Sequence, residues 1–324
     1  MHPLEAAVTF ERKSTMKSFI ITFLLMNILH YTTASTPGNV HKITLADSVQ
    51  LHAVEYPGEG TPFLLLHGFP DNKLIYHGLI AELQLLGRRC IVFDFVGWGD
   101  SDKPSTKDYP YSAATQAKEI AAVVAYFALE RVSLVVHDMA GPPAIDFALA
   151  HKEQVEQMIL LNTYYHSTKN RREPPTITLF SAPVLRQLCT PFGRLNPVFK
   201  PVFKAQMKPF FNDPAVYKTY VPLFLEQFLG KDHSKNPMLQ VISQVPKVVK
   251  QNLVKIDQLK SFDRPVKIIF GASDQFLGSG LAREFQQIFP LATLHLIDQC
   301  NHYPQIEYPK QTAALMVENW AKDL

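Results

Sequence analysis

Three short apolar runs in this chain lead into residues that can do chemistry, and a fourth ends at His67-Gly68-Phe69-Pro70. "SLVVHDMAGPP" (133–143) ends its β-formers at Asp138. "IIFGASDQF" (268–276) contains Asp274, and "DQCNHYPQIE" (298–307) carries His302. In chain order these are a nucleophile candidate, an acid and a base, the three roles that covalent hydrolysis needs. Asp138 is followed by the small residues Ala140 and Gly141 and then by Pro142. That pattern fits a sharp strand-to-helix turn that lifts one side chain above the rim of a sheet. Each residue alone has an ordinary explanation: an aspartate after a strand caps the next helix, and "HGFP" makes a turn. The catalytic reading rests on the set, in that order, at strand ends.

Strand ends collect function when the strands lie side by side in an open α/β sheet. Eight short apolar segments have strand character: 42–45, 49–56, 63–66, 90–93, 132–136, 158–161, 266–270 and 293–297. Helical spacing fills 74–86, 113–129, 142–150, 281–288 and 311–320, with proline in the first turn of the third. The expected fold class is therefore α/β, a mostly parallel eight-stranded sheet with helices on both faces. From 163 to 260 the alternation breaks into apolar and aromatic segments punctuated by proline, such as "NPVFKPVFKAQMKPFF". This stretch is expected to be a helical lid inserted between the sixth and seventh strands. Residues 36–162 and 261–324 are then the two parts of the core.

From about residue 40 to 322 the chain resembles the α/β-hydrolase superfamily, in its aspartate-nucleophile branch of epoxide hydrolases and haloalkane dehalogenases. The resemblance is carried by "HGFP", "DFVGWGDSDKP", "VVHDMAG", "LLNT", "GASD" and "NHYPQIEYP". Val136 departs from it, standing where the nucleophile elbow usually has glycine. The resemblance implies an Asp138 nucleophile attacking an sp³ carbon to give an alkyl-enzyme ester. His302, oriented by Asp274, would activate the water that cleaves the ester, and the backbone N–H groups of Phe69 and Met139 would form the oxyanion hole. No G-x-S-x-G or G-x-C-x-G is present, and the chemistry calls for no metal or organic cofactor. Asn162, at the other strand end where this branch can place its acid, is an amide and cannot serve, which leaves Asp274. Asp146 and Asp298 are weaker candidates, and Cys300 is expected to be a packed thiol.

Side chains beside the nucleophile separate the substrate classes. Dehalogenases of the branch hold halide with indole N–H donors, one directly after the nucleophile. Here the only tryptophans are Trp98 and Trp320, while Met139 and Phe69 cannot donate from the side chain. Epoxide opening needs a proton donor, usually lid tyrosines. The candidates are Tyr164, Tyr165, Tyr217 and Tyr220, with His166 beside them, and "NPMLQVISQVPK" lacks the tyrosine that many epoxide hydrolases carry there. The expected activity is epoxide-hydrolase-like on a small hydrophobic substrate. The alternatives are haloalkane dehalogenase, another hydrolase acting on an ester or carbon–carbon bond, and a non-catalytic secreted binding protein of the same fold.

Composition supports a folded chain: 47% of the 324 residues are hydrophobic and the net charge is +3. A nucleic-acid surface has little support, and the run Lys169-Asn170-Arg171-Arg172 is read as a solvated loop. Arg12, Lys13 and Lys17 precede the apolar run Phe19–Leu29, with Thr32-Thr33-Ala34 before Ser35. Residues 1–35 thus have the layout of a secretory signal peptide. The expected location is secreted or periplasmic, with an uncleaved membrane anchor as the alternative. Three cysteines, Cys90, Cys189 and Cys300, make no disulfide framework.

Overall fold

The computed structural model describes residues 37–318 apart from 47 and 231–232, so the expected signal segment and Trp320 lie outside the described residues. Eight strands form one sheet: β1 (Asn39–Thr44), β2 (Gln50–Tyr56), β3 (Glu59–Leu66), β4 (Arg88–Asp94), β5 (Val132–Asp138), β6 (Val155–Thr163), β7 (Val266–Gly271) and β8 (Ala292–Ile297). Their order is β1-β2-β4-β3-β5-β6-β7-β8. β1 and β2 pair antiparallel, as do β2 and β4, and the other neighbours run parallel. β5 and β7 are buried along almost their whole length. This is why their sequences are unbroken apolar runs rather than alternating patterns: helices cover both faces of the sheet.

Those helices are α1 (His77–Leu85), α2 (Ala113–Tyr126) and α3 (Gly141–Ala150), and after the seventh strand α10 (Ser279–Ile288), α11 (Pro304–Glu307) and α12 (Pro309–Val317). Ser112 caps α2 by accepting from the Thr115 N–H. The boundaries differ from the sequence reading where local bonding overrides periodicity. The 74–86 segment opens with a 3-10 turn (Lys73–Tyr76), which the Asn72 side chain caps, before α1 begins. The last helix ends at Val317, three residues short of the expected 320. Between β6 and β7 the chain forms α4 (Pro175–Ser181), α5 (Pro183–Gly193), α6 (Asn196–Met207), α7 (Pro214–Glu226), α8 (Lys235–Asn252) and α9 (Ile256–Lys260). No helix of the described residues is long and apolar enough to cross a membrane.

Two polar latches, one buried and one half-buried, position the loops around the strand ends. Asp94, fully buried at the end of β4, accepts from the Lys73 and Asp100 N–H groups at 2.8 Å and pairs with the Lys73 ammonium, which also reaches Asp100. Gly99 has φ +46°, and a Cβ there would lie 2.1 Å from Asp94 Oδ2, so the "GWGDSD" turn requires glycine at this position. The second latch is Gln227 at the end of α7. It donates to the Pro70 and Asp71 carbonyls and accepts from the Gly99 N–H, tying the helical insertion to the loop after β3.

Candidate active site

Parallel pairing sets Leu66 of β3 beside Val136 of β5, and Asp138 beside Thr163 of β6, so the strand ends that carry the candidate residues meet at one edge. Asp138 has φ +46°, a left-handed conformation that is strained for a residue with a Cβ. The strain is held in place by close packing. The Thr163 hydroxyl donates to the Asp138 carbonyl at 2.6 Å. A Cβ on Gly141 would sit 1.9 Å from the Tyr164 carbonyl oxygen, and one on Gly68 would be 2.5 Å from the Asp138 Cβ. Glycine on either side is therefore what lets the turn close. Val136, in place of the usual glycine, is accommodated fully buried within the sheet.

The Asp138 carboxylate accepts from the Phe69 N–H through Oδ2 at 2.9 Å, and its Oδ1 lies 3.9 Å from His302 Nε2. Met139, the other expected oxyanion donor, makes no backbone hydrogen bond to this carboxylate. The opposite face of the imidazole is fixed by Nδ1–H donating to Asp274 Oδ2 at 2.7 Å. Asp274 is itself saturated. Its Oδ1 accepts from the Phe276 and Leu277 N–H groups, and its Oδ2 also accepts from the Asn162 amide at 3.0 Å. Asn162 thus stands at the alternative acid position as a brace for Asp274, and its own Oδ1 accepts from the Gly271 N–H at 2.7 Å.

The charges follow from this geometry. Burial pushes the Asp138 carboxyl up, and the nearby His302 and His137 offset this only in part. Burial would also raise Asp274, but His302 and the two backbone N–H donors hold it below the usual range. For His302 burial favours the neutral ring. Asp274, by charge and hydrogen bond, and then Asp138 and Asp71 outweigh it and raise the imidazole to about 9.

Asp71 and Tyr303, in a layer behind the site, escaped the sequence reading, whereas His137 beside them is expected from sequence as a supporting neighbour of Asp138. Asp71, fully buried, accepts from the Tyr303 hydroxyl at 2.8 Å and lies 3.4 Å from His137 Nδ1. His137 Nε2–H donates to the His302 carbonyl at 3.0 Å. These residues set the backbone on which His302 is mounted. The only sequence signal was the proximity of Asp71 to "HGFP" and of His137 and Tyr303 to the two central residues.

A cavity of about 30 Å³ opens on Asp138 and His302, walled by Phe69, Pro70, Tyr164, Arg171, Phe210 and Phe276 among others. Of the candidate donors, only Tyr164 is brought there, and burial raises its phenol well above the ordinary range, so it stays protonated. Tyr165 is turned away and donates to Asp146 at 2.6 Å, while Tyr217 donates to the Lys204 carbonyl. Tyr220 packs against Phe224, and His166 is bound to Glu284 at 2.8 Å. The 169–172 run is not simply a solvated loop. The Arg171 side chain is only 7% exposed, pairs with Glu173 at 2.7 Å, lies 4.4 Å over the Tyr164 ring and lines the cavity. Trp98 is buried against Phe69 and Phe228 and does not line the cavity. Cys300 is buried, and all three cysteines are free thiols.

A second, larger and mainly apolar cavity of about 240 Å³ shares Phe69, Pro70 and Gln206 with the first, and is otherwise walled by α4, α5, α6 and α8. Among the described residues, the one cluster with metal-ligand reach is His52, Asp94 and Asp100, and the Lys73 ammonium already occupies its carboxylates.

Comparison with known proteins places these features in context. A family model described as alpha/beta hydrolase fold matches residues 61–309. The chain is 24% identical over 270 residues to a cis-3-alkyl-4-alkyloxetan-2-one decarboxylase of Shewanella oneidensis, covering 78% of this chain and 80% of that one. It is 24% identical over 294 residues to epoxide hydrolase 3 of Xenopus tropicalis, covering 86% and 77%. The solved structure of the haloalkane dehalogenase DatA from Agrobacterium tumefaciens C58 superposes with a TM-score of 0.71 at 20% identity, covering 86% of this chain and 95% of that one.

Proposed function

The chain is an enzyme of the alpha/beta hydrolase fold family, and from that premise we propose that it opens a strained oxygen ring with Asp138 as nucleophile. The observation that carries this reading is the carboxylate at the strained turn. It is held by the Phe69 N–H and lies 3.9 Å from an imidazole that is itself braced by Asp274 at 2.7 Å. Asp138 attacks an sp³ ring carbon, the C–O bond breaks, and the departing alkoxide takes a proton from Tyr164. The product of this step is an ester of Asp138. His302 then removes a proton from water, whose oxygen attacks the ester carbonyl, and the Phe69 N–H stabilises the oxyanion that forms. Its collapse breaks the ester C–O bond, the departing alkoxide takes the proton held by His302, and the proton of the regenerated Asp138 carboxyl restores the Tyr164 hydroxyl.

The charge state of Asp138 times the two steps. Its negative charge is one of the contributors that hold His302 near 9. Forming the neutral ester removes that contribution and lowers the imidazolium pKa, so the ring is freed of its proton and can accept one from water when the ester needs a base. The epoxide-hydrolase-like reading is further supported by Tyr164 at the cavity and by the absence of an indole donor among the lining residues. The apolar walls of both cavities favour a hydrophobic substrate. The oxetanone named for the Shewanella relative is also a strained oxygen ring, so the same nucleophile would suit it.

The test is a single turnover in ¹⁸O-water, with panels of epoxides, alkyl-substituted oxetan-2-ones, haloalkanes and aryl esters. On the proposed route label enters the Asp138 carboxylate, and Asp138→Asn abolishes turnover. Turnover with no label at Asp138, or an unaffected Asp138→Asn variant, refutes it.

A further inference from the structure

Helix α6 is apolar on two sides. Phe199, Phe203 and Met207 face inward and are buried, yet Val198 and Val202 on the adjoining side are 41% and 51% exposed, as is Leu195 at 55% just before the helix. Its neighbour α5 presents Val184, Leu185 and Leu188 at 70%, 45% and 63%. On each helix these side chains lie three or four residues apart and so share one face. Six of the thirteen exposed large apolar side chains among the described residues fall in this one stretch of nineteen residues. A helix that is apolar nearly all round ordinarily lies inside a core. Here one side has no described residue to cover it.

The charges in the same region have one sign. Between Pro174 and Asn212 there are five basic residues, Arg186, Arg194, Lys200, Lys204 and Lys208, and no acidic one. None of the five forms an ion pair with a described residue. Helices with exposed apolar side chains on one side and cations such as Arg186, Lys200 and Lys204 on their other sides match an anionic lipid surface, which takes up the first and attracts the second at about 1 kcal/mol per basic residue near the surface. A second copy of the chain fits poorly, since an isologous contact would gather the ten basic side chains of the two stretches around it, with no acidic one from either stretch.

The patch also has an outlet. Val198 and Val202 line the 240 Å³ cavity from the exposed side, and Phe69 and Pro70 at its inner end are shared with the cavity at Asp138. For scale, an apolar cavity of about 150 Å³ holds a benzene molecule. We propose that the exposed face of α5 and α6 docks on an anionic lipid surface and that an apolar substrate passes from the acyl phase through this cavity to Asp138. The passage rests on the Asp138 reading given above; the docking does not.

The test adds a single indole reporter to the full chain. Val184→Trp places it on the patch, and Val254→Trp, at an 85% exposed position outside it, is the control. The native Trp98 and Trp320 are common to every variant, so the reporter signal is the difference from the parent chain. Vesicles of phosphatidylcholine with brominated acyl chains, with and without phosphatidylserine, supply a quencher within the acyl region. Docking predicts that the added emission of the Val184→Trp chain is quenched by the serine-containing vesicles and recovers at high salt, while that of the Val254→Trp chain is unchanged. Leu188→Asp should weaken partitioning of the Val184→Trp chain about tenfold, the effect of losing about 1.4 kcal/mol. If the chain sediments with vesicles while the reporter of Val184→Trp stays unquenched, or if both reporters quench alike, the docking proposal fails. It also fails if Leu188→Asp abolishes self-association and leaves the lipid response intact. The passage is tested separately: Leu188→Asp should lose turnover on vesicle-borne substrate and keep it on a dispersed short-chain one. Loss on both, with docking retained, would refute the passage and the Asp138 reading would stand on the isotope experiment.

Discussion

Replacing Asp138 by asparagine should lower the His302 pKa by an amount that follows from the geometry. The amide keeps an oxygen for the Phe69 N–H, removes the negative charge, and so imitates the neutral ester of the proposed covalent intermediate. Two unit charges 3.9 Å apart interact by about 1 kcal/mol in bulk water and by about 4 kcal/mol at an effective dielectric constant of ~20. Those limits correspond to about one and three pKa units. The imidazole, raised to about 9 in the resting protein, should therefore titrate between roughly 6 and 8 in Asp138→Asn. The assay is an NMR titration of the His302 ring resonances in both proteins, assigned with His302→Gln. The direction is set by the loss of a neighbouring negative charge, which favours the neutral ring. An unchanged or higher pKa would show that Asp138 does not control the base, and the coupling between alkylation and water activation would fall with it.

Tyr164→Phe should slow ring opening of epoxides by about 10²–10⁴-fold, the range for a lost general acid, while Tyr165→Phe and Tyr217→Phe, whose hydroxyls are engaged elsewhere, leave it unchanged; stopped-flow alkylation rates decide this. Asn162→Ala removes the amide from Asp274 Oδ2 and the acceptor from the Gly271 N–H, so stability in urea should fall by about 1–3 kcal/mol. Hydrolysis of the ester should slow more than its formation, and equal slowing of both would count against a role in placing the base. Glu119 is buried, which raises its carboxyl to about 8 despite hydrogen bonds from Val96 N–H and the Tyr109 hydroxyl. Between the unfolded value of 4.5 and 8 the folded protein holds a proton that the unfolded chain has lost, so this group makes stability fall as pH rises through that window. Glu119→Gln should flatten the decline, by at most about 5 kcal/mol, and identical slopes in the two proteins would refute the assignment.

The sheet was legible because its strands are buried on both faces and appear as unbroken runs of Leu, Ile and Val. The candidate triad residues stood out because such runs end abruptly on charged or ring side chains. Asp71 and Arg171 offered no such contrast. An acid in "FPDN" looks like a turn former, and Arg171 sits in a polar run where loops ordinarily carry charge. Their burial comes from contacts with Tyr303 and Tyr164, which sequence separation hides. The same limit applies to the tyrosines. Tyr164 and Tyr165 are adjacent, yet one lines the cavity and the other points to Asp146 in α3, because alternate residues leave an extended chain on opposite sides. Helix starts were misplaced where a side-chain cap, such as Asn72, decides the first turn.

Phe69 combines two duties that can be separated by mutation. Its N–H holds Asp138, while its ring packs 5.7 Å from Trp98 and forms part of the wall between the two cavities. Phe69→Leu keeps the N–H and shortens the wall. The stability cost should stay near about 1–2 kcal/mol, since one apolar side chain replaces a somewhat larger one. Passage from the larger cavity should widen, so kcat/KM for a substrate with a long alkyl arm should rise relative to that for a compact one, with kcat on the compact substrate nearly kept. If activity falls equally on both, the ring itself supports the carboxylate. If neither changes, the wall does not limit access, and a substrate must reach Asp138 past Arg171 and Tyr164 instead.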